Sequence, residues 1–370
     1  MDLLVLGTSN CIGPDSYAAK LGRKLGASFA NFSVGASSST LGLYQLHKVQ
    51  PAQLGIALID FAINDGHTGW YLWGQENAPN YIADNIRTIV ARLRSMNFLP
   101  IMVLAASCPN FEFEPFGNKL HSDICVEERI NFIDIRRLVI EAIGHGAKQA
   151  DLMRDDYHLS ERAAEAVAAF LEAIVRLIDA TTVTFQSQSA SVLQSRAIYA
   201  SQLFPPSALI SRGSSLRAAL HGRLGIGETV HLPMASTERL AGLMMNVGSK
   251  GGMVVLRGNG PEVVKSMTTY WNPARPDSFG SAMIDFGHPL PGGVAGVTIQ
   301  IVDPDAVPTE PTIHCKPIIP GRYGEIEIEG ALLIECDRIQ YDHTCPNVDW
   351  LPLDLRQLPE AQGLRERLAS

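Results

Sequence analysis

The chain has 370 residues, of which 46% are hydrophobic and 18% are charged, and its formal net charge at pH 7 is −8. This composition indicates a chain that buries a core, and the length predicts two or three domains. An acidic chain without a basic run is not expected to bind nucleic acid, and no apolar run is long enough to predict a membrane span.

The first seven residues lack the basic region and the long apolar segment of a secretory signal peptide. We therefore expect a cytoplasmic protein, whose six cysteines are expected to be reduced thiols.

In the first half of the chain, short apolar runs alternate with segments of helical periodicity. This pattern is typical of a parallel sheet covered by helices on both faces, so residues 1–182 are predicted to form one doubly wound α/β domain. The clearest helix is predicted over Ser160–Ile178, with Ser160 as its N-cap. The predicted strands are Leu3–Leu6, Ser28–Val34, Ile56–Phe61 and Leu99–Ala105, and the other predicted helices are Ser16–Leu25, Tyr81–Met96 and Val126–Ile143.

The second half has a different pattern. The Ser- and Gln-rich stretch 183–195 is predicted to be a linker, and residues 196–345 contain short β-type runs separated by Gly and Pro clusters. Such runs are typical of an antiparallel β-sandwich, and residues 346–370 are expected to form a C-terminal tail. The predicted strands are Glu228–Leu232, Leu240–Val247, Gly252–Arg257, Val294–Val302 and Gly324–Glu329, and the tail is predicted to contain a short helix over Leu358–Leu368.

Three motifs follow predicted strands of the first domain. Ser9 follows the first strand, where the loops of an open parallel sheet bind ligands. Gly35 follows the second strand, and a glycine lets a backbone N–H approach a ligand closely. Asn64 follows the third, where its side-chain amide can donate to a developing oxyanion. Taken one at a time, a helix cap, a turn glycine and an Asx turn are the more frequent roles of such residues.

A fourth motif precedes the strongest predicted helix. His158 comes three residues after Asp155, so one ring nitrogen can donate to the carboxylate while the other acts as a general base. A solvated histidine in a surface loop is the alternative interpretation.

In this order, the four motifs resemble the four blocks of the GDSL or SGNH hydrolase family, and the resemblance spans most of residues 3–178. It implies that Ser9 is the nucleophile, His158 the general base and Asp155 its partner. It also implies an oxyanion hole made by the N–H groups of Ser9 and Gly35 and the side chain of Asn64. The implied fold is flavodoxin-like, with a five-stranded parallel sheet.

Two positions depart from the family pattern. Thr8 replaces the Asp of the usual Gly-Asp-Ser, and Ala62 replaces the Gly of the usual Gly-x-Asn-Asp. Neither position supplies a catalytic group in the implied mechanism.

The resemblance predicts a serine esterase that removes a short acyl group, and the expected group is an O-acetyl group on a carbohydrate. Two alternatives stay open: a saccharide O-acetyltransferase that uses the same site, and a glycan-binding protein whose catalytic site is degenerate. The expected partner is a small acyl ester or a saccharide, and the oligomeric state is left open.

Aromatic residues add support for a carbohydrate substrate. Trp70, Tyr71 and Trp73 follow the Asn64 motif, and flat aromatic faces stack on sugar rings, although covering the sheet edge is an equally good role for them. The second domain resembles, by pattern only, the jelly-roll modules that accompany carbohydrate-active enzymes; a structural or dimerising domain is the alternative. Its polar and aromatic turn residues are Arg257, Asn259, Tyr270, Trp271 and Arg275.

No metal and no cofactor are predicted. The chain lacks a Gly-x-Gly-x-x-Gly motif and a P-loop. The residues that hint at a metal site have spacings that match no zinc pattern, namely His314, Cys315, Cys336, His343 and Cys345.

Overall fold

The structure is a computed structural model. It describes residues 1–26, 28–74, 76–107, 115–214, 217–247, 251–267, 279–292, 296–303, 305–312, 323–349 and 351–370, and for Cys336 the backbone alone.

The first half of the chain forms a five-stranded sheet in which every neighbouring pair is parallel. The spatial order β2-β1-β3-β4-β5 is that of flavodoxin-like folds, which is the fold that the resemblance implies. The strands are β1 (Asp2–Gly7), β2 (Phe29–Asn31), β3 (Gly55–Asp60), β4 (Phe98–Leu104) and β5 (Asn131–Asp134).

Helices cover both faces of this sheet, because two separate apolar clusters lie on its opposite sides. Ser160 caps the helix predicted after it, and its hydroxyl accepts from the N–H of Ala163 at 3.2 Å. The helices are α1 (Tyr17–Leu25), α2 (Ser39–Leu46), α3 (Ala62–Thr68), α4 (Ala78–Ser95), α5 (Phe116–Glu127), α6 (Ile135–Gly144), α7 (Gln149–Leu152) and α8 (Glu161–Asp179).

The helix predicted over 126–143 is wrong, because strand β5 interrupts it. The chain leaves α5 through Arg129, whose φ of 52° lies in the left-handed region, and α6 begins only at Ile135. The apolar residues of β5 also fit helical spacing, and four residues are too few to show a strand period. Helix α2 was not predicted because all eight of its residues are buried, so it has no polar face.

The second half forms two antiparallel sheets packed face to face, which confirms the predicted sandwich architecture. The larger sheet has the order β13-β10-β15-β8-β7, with β6 also paired to β15, and the smaller has the order β12-β11-β14-β9. The strands are β6 (Thr184–Tyr199), β7 (Leu209–Gly213), β8 (Ala218–Gly225), β9 (Thr229–Leu232), β10 (Glu238–Asn246), β11 (Met253–Arg257), β12 (Val263–Ser266), β13 (Ser281–Pro291), β14 (Val297–Val302) and β15 (Glu325–Asn347), and a short helix, α9 (Ala200–Leu203), follows β6.

The larger sheet also packs its outer face against the first domain. Met244, Met283 and Leu332 from three of its strands belong to the same apolar cluster as α2 and α4. The two halves therefore share a hydrophobic interface rather than being joined by the chain alone.

The stretch 183–195 differs from the predicted linker, because it is most of strand β6. This strand pairs with β15 from Thr184, opposite Asn347, to Tyr199, opposite Gly330. The polar composition of β6 suits a strand whose side chains are mostly exposed, and this composition resembles that of a linker. The domain boundaries themselves stay a prediction.

The C-terminal residues return to the first domain. Helix α10 (Glu360–Ala369) places Ala361, Leu364 and Leu368 in the apolar cluster that also holds α6 and α8. The predicted helix in this tail is thus confirmed, and it is packed rather than free. None of the helices in the described part of the chain is long and apolar enough to cross a membrane.

Candidate active site

Ser9 is presented by a tight turn at the end of β1. It begins a 3₁₀ turn, Ser9–Cys11, directly after Gly7 and the buried Thr8. Gly7 is needed for this close approach, since a Cβ atom there would lie 2.7 Å from the Cys11 sulfur. The turn therefore packs its own Cys11 thiol closely against Gly7, and this thiol also contacts the Asp60 carboxylate at 3.5 Å.

The structure brings the predicted Ser, His and Asp into one chain of hydrogen bonds. The Nε2 atom of His158 lies 2.8 Å from the Ser9 hydroxyl oxygen, and its Nδ1 atom lies 2.7 Å from Asp155 Oδ1. With Nδ1–H donating to the carboxylate, Nε2 is left to accept the Ser9 proton. This is the geometry that a nucleophile activated by a general base requires.

The loop holds Asp155 in its ionised form. Partial burial raises the pKa of the Asp155 carboxyl, but the N–H of Tyr157 and the ring of His158 donate to it, and the net result is a pKa below the ordinary value. An ionised Asp155 keeps the His158 ring in one tautomer and stabilises the imidazolium that forms when His158 takes a proton.

Asn10, which the sequence did not single out, connects the Ser9 turn to the loop that carries Asp155 and His158. Its Nδ2 donates to the carbonyl of Tyr157 at 2.9 Å, and its Oδ1 lies 3.4 Å from the N–H of Leu159. The Asn10 side chain thus binds the backbone on both sides of His158, and Asn10 itself directly follows Ser9. Only its position directly after Ser9 pointed to such a role.

Gly35 lies in a backbone segment with an unusual conformation. It lines the same cavity as Ser9, and the next residue, Ala36, has a φ of 50°, in the left-handed region that a non-glycine residue rarely adopts. Ser37 holds this segment from both sides: its hydroxyl donates to the Gly35 carbonyl at 3.2 Å and accepts from the N–H of Met283 at 3.2 Å. Backbone strain of this kind is found at functional sites.

Asn64 lies in the first turn of α3 rather than in a loop. Its Nδ2 donates to the carbonyl of Ser37 at 3.3 Å, which ties it to the segment that carries Gly35. One hydrogen of the amide remains for another acceptor. Among the described residues that line the Ser9 cavity, Asn64 is not included.

The Ser9 cavity has a volume of about 470 Å³ and two walls of different origin. Ser9, Gly35 and His158 come from the first domain, whereas Arg217 and Ser281 come from the sandwich. Strand β13 also braces this region, because the Ser38 hydroxyl donates to Asp285 at 3.0 Å. Sequence reasoning missed this contribution of the second domain, since nothing in the sequence aligns β13 with the Ser9 turn.

The three aromatic residues have different surroundings. Trp70 and Tyr71 are 57% and 67% exposed on a π-helical turn, Gly69–Trp73. Trp73, in contrast, is 3% exposed and donates from Nε1 to the carbonyl of Phe286 at 3.1 Å. The expectation that Trp73 stacks on a substrate is therefore corrected: its ring is buried between the two domains.

The residues that hint at a metal site can be followed only in part. His314, Cys315 and the side chain of Cys336 lie outside the described residues, as do Tyr270, Trp271 and Arg275. Within the described ranges, no three His, Cys, Asp or Glu side chains lie together as metal ligands would.

Among the polar turn residues of the sandwich, Arg257 forms a salt bridge with Glu262 at 2.6 Å.

Comparison with known proteins gives matches only among solved structures. No family model matches the chain, and no curated protein matches it. A two-domain esterase active on acetylated mannans superposes with a TM-score of 0.56 at 11% identity, and the match covers 90% of each chain. A structure of a two-domain esterase co-crystallised with mannopentaose gives the same TM-score over 92% of each chain.

This chain shares the two-domain esterase fold. The match spans both the parallel sheet and the sandwich, so the fold expected from the resemblance to SGNH hydrolases is confirmed. A member of the lipolytic G-D-S-L family from Veillonella parvula DSM 2008 also aligns, at 16% identity over 48% of this chain and 99% of its own, with a TM-score of 0.37.

Proposed function

We propose that this protein is a serine esterase of the SGNH type that removes a short acyl group, an O-acetyl group on a carbohydrate. The observation that carries the proposal is the continuous hydrogen-bond chain from Ser9 through His158 to Asp155, at the wall of an open cavity. The esterase of the same fold is described as active on acetylated mannans, which supports an acetylated saccharide as the substrate.

The first half-reaction forms an acyl-enzyme. His158 Nε2 takes the hydroxyl proton as Ser9 Oγ attacks the ester carbonyl carbon, and the carbonyl oxygen becomes an oxyanion. The N–H groups of Ser9 and Gly35 and the amide of Asn64 stabilise that charge. Collapse of the intermediate breaks the bond to the alcohol oxygen, which leaves with the proton returned by His158.

The second half-reaction uses water in place of the alcohol. His158 removes a proton from water as the water oxygen attacks the acyl carbon on Ser9. The second tetrahedral intermediate then collapses, the bond between the acyl carbon and Ser9 Oγ breaks, His158 returns its proton to Oγ, and the free acid leaves. Asp155 keeps its charge throughout and stabilises the protonated ring in both steps.

Hydrolysis of p-nitrophenyl acetate and of longer p-nitrophenyl esters tests the proposal. We expect the acetate to be the preferred ester and the Ser9→Ala variant to lose about 10⁴-fold or more in kcat. Ser28→Ala is the matched control, because Ser28 is an exposed serine of the same domain outside the cavity. A fluorophosphonate probe should label the wild type and not Ser9→Ala.

Full activity in folded Ser9→Ala would refute the proposal. Acyl release that requires a sugar acceptor would replace hydrolysis by O-acetyl transfer. The absence of both turnover and labelling in the folded wild type would indicate a degenerate site.

A further inference from the structure

A second cavity lies between the two domains, next to the Ser9 cavity. Its volume is about 500 Å³, within the range of small-molecule sites. Arg217 lines both cavities, and the consecutive residues Phe32 and Ser33 line one each. A ligand that occupies this second cavity, here called the interdomain cavity, is therefore adjacent to a group bound at Ser9.

The wall of the interdomain cavity contains polar groups without partners. Gln45 is 1% exposed, and neither its Nε2 nor its Oε1 has a hydrogen-bond partner within the described residues. The Nη1 atom of Arg217 is likewise buried without an acceptor in that part of the chain. Buried polar groups of this kind destabilise a fold unless a water molecule or a ligand satisfies them, so Gln45 and Arg217 leave two donors and one acceptor for a molecule bound in this cavity.

The charges of this wall favour an anion. Lys48 Nζ lies 2.7 Å from Glu329 Oε1, and the Arg217 guanidinium binds the same carboxylate. The described lining residues thus hold two cations against one carboxylate. The single positive charge in excess matches a singly charged group such as a carboxylate better than a doubly charged phosphate.

The donor and acceptor pattern narrows the ligand further. Arg217 Nη1 and Gln45 Nε2 donate, which suits a carboxylate, whereas Gln45 Oε1 accepts and therefore needs an O–H or N–H group. A sugar acid carries both kinds of group. We propose that the interdomain cavity binds a carboxylate-bearing sugar unit, a uronic acid, of the acylated saccharide whose ester lies at Ser9. This inference rests on the proposed function only for the statement that the two groups belong to one substrate.

Direct binding to the full-length Ser9→Ala variant tests the site without turnover. Isothermal titration with D-glucuronate should give one site. D-glucose should bind at least about ten-fold more weakly, because a hydrogen bond to a charged group is lost. Equal affinities for the two sugars, or no binding of glucuronate, would overturn the proposal.

Substitution of Gln45 by Met, in the same Ser9→Ala background, locates the binding. Met is similar in length and has no amide, so the thermal midpoint should stay unchanged or rise, while glucuronate affinity falls about ten-fold. Gln53→Met is the matched control, since Gln53 is exposed and lies outside the cavity. Unchanged glucuronate affinity in Gln45→Met would refute the site.

The two proposals fail separately. Turnover of p-nitrophenyl acetate without glucuronate binding would support the esterase proposal and refute the sugar-acid site. Glucuronate binding sensitive to Gln45→Met, without esterase activity, would leave the site and remove the ester as its neighbour.

Discussion

Two Asp–His pairs of the first domain have nearly the same N···O distance and different surroundings. His158 Nδ1 lies 2.7 Å from Asp155, and His121 Nε2 lies 2.8 Å from Asp65. The first pair is partly exposed at a cavity, and the free ring nitrogen of His158 meets the Ser9 hydroxyl. The second pair has side chains that are 0% exposed, and the free ring nitrogen of His121 is buried without a partner among the described residues.

The contrast shows that an Asp–His pair has no chemistry of its own. Asp65 also accepts from the N–H of Ser39 at 2.7 Å, so the buried pair joins the start of α2 to α5. It holds helices together, whereas Asp155 and His158 lie in a loop that a substrate can reach. Access and the partner of the second ring nitrogen decide which pair can catalyse a reaction.

Exchanging the two histidines for alanine should separate these roles most strongly. His158→Ala is expected to lower kcat/KM for p-nitrophenyl acetate by about 10⁴-fold or more, with little change in the thermal midpoint. His121→Ala leaves a buried carboxylate unpaired and should lower the free energy of unfolding by about 3 to 5 kcal/mol. Kinetics and urea denaturation measure the two effects.

His121→Gln is the conservative control, because an amide N–H can still donate to Asp65 and should preserve part of the lost stability. The contrast would be false if His158→Ala destabilised the fold as much as His121→Ala, or if His121→Ala lost activity in proportion to His158→Ala per folded molecule.

Asp285 of the sandwich is a buried carboxyl group at the domain interface. We expect it to make the stability of the protein depend on pH. Burial raises the pKa of Asp285 to about 7, against the lowering effect of the Thr40 and Ser38 hydroxyls, and nearby Asp65 raises it further. The unfolded chain releases this proton near pH 4, but the folded chain holds it until about pH 7. Between those values the folded state binds more protons, so rising pH reduces stability.

Asp285→Asn should remove this dependence. The stability of this variant relative to the wild type should rise from pH 4 to pH 7 and then stay constant. The upper bound for the gain in the free energy of unfolding is about 4 kcal/mol, and the thermal midpoint should follow it. Differential scanning calorimetry at pH 5 and pH 8 measures the change, and the exposed Asp305→Asn is the control. A gain that is equal at both pH values would contradict the assignment.

The smallest expected effect concerns the Asn10 link between the Ser9 turn and the Asp155–His158 loop. Asn10→Ala should lower kcat by about 10- to 100-fold with little change in KM, because Ser9 and His158 are then less well aligned. Asn131→Ala is the matched control: Asn131 Nδ2 also donates to a backbone carbonyl at 2.9 Å, but the residue is in β5. Fluorophosphonate labelling should slow in parallel, and an unchanged labelling rate would exclude a positioning role for Asn10.

Much of this site was predictable because its residues lie in local motifs. Asp155 and His158 are three residues apart, so their contact depends on one loop, and Ser9 follows the first buried strand. The role of Asn10 was not predictable, since its partners are 147 and 149 residues away in sequence. The burial of Trp73 depends in the same way on a distant contact, with strand β13.

The sequence by itself determined the elements whose apolar spacing is regular, which include four of the five strands of the parallel sheet and the Ser9, Gly35 and Asp155–His158 segments after or between them. Hydrophobic periodicity is a local property, which is why it could be recognised without coordinates. Only the tertiary structure decided that β6 is a strand, that α10 returns to the first domain and that Arg217 reaches the Ser9 cavity. These outcomes depend on burial between segments far apart in sequence, and no local pattern specifies which distant surfaces will meet.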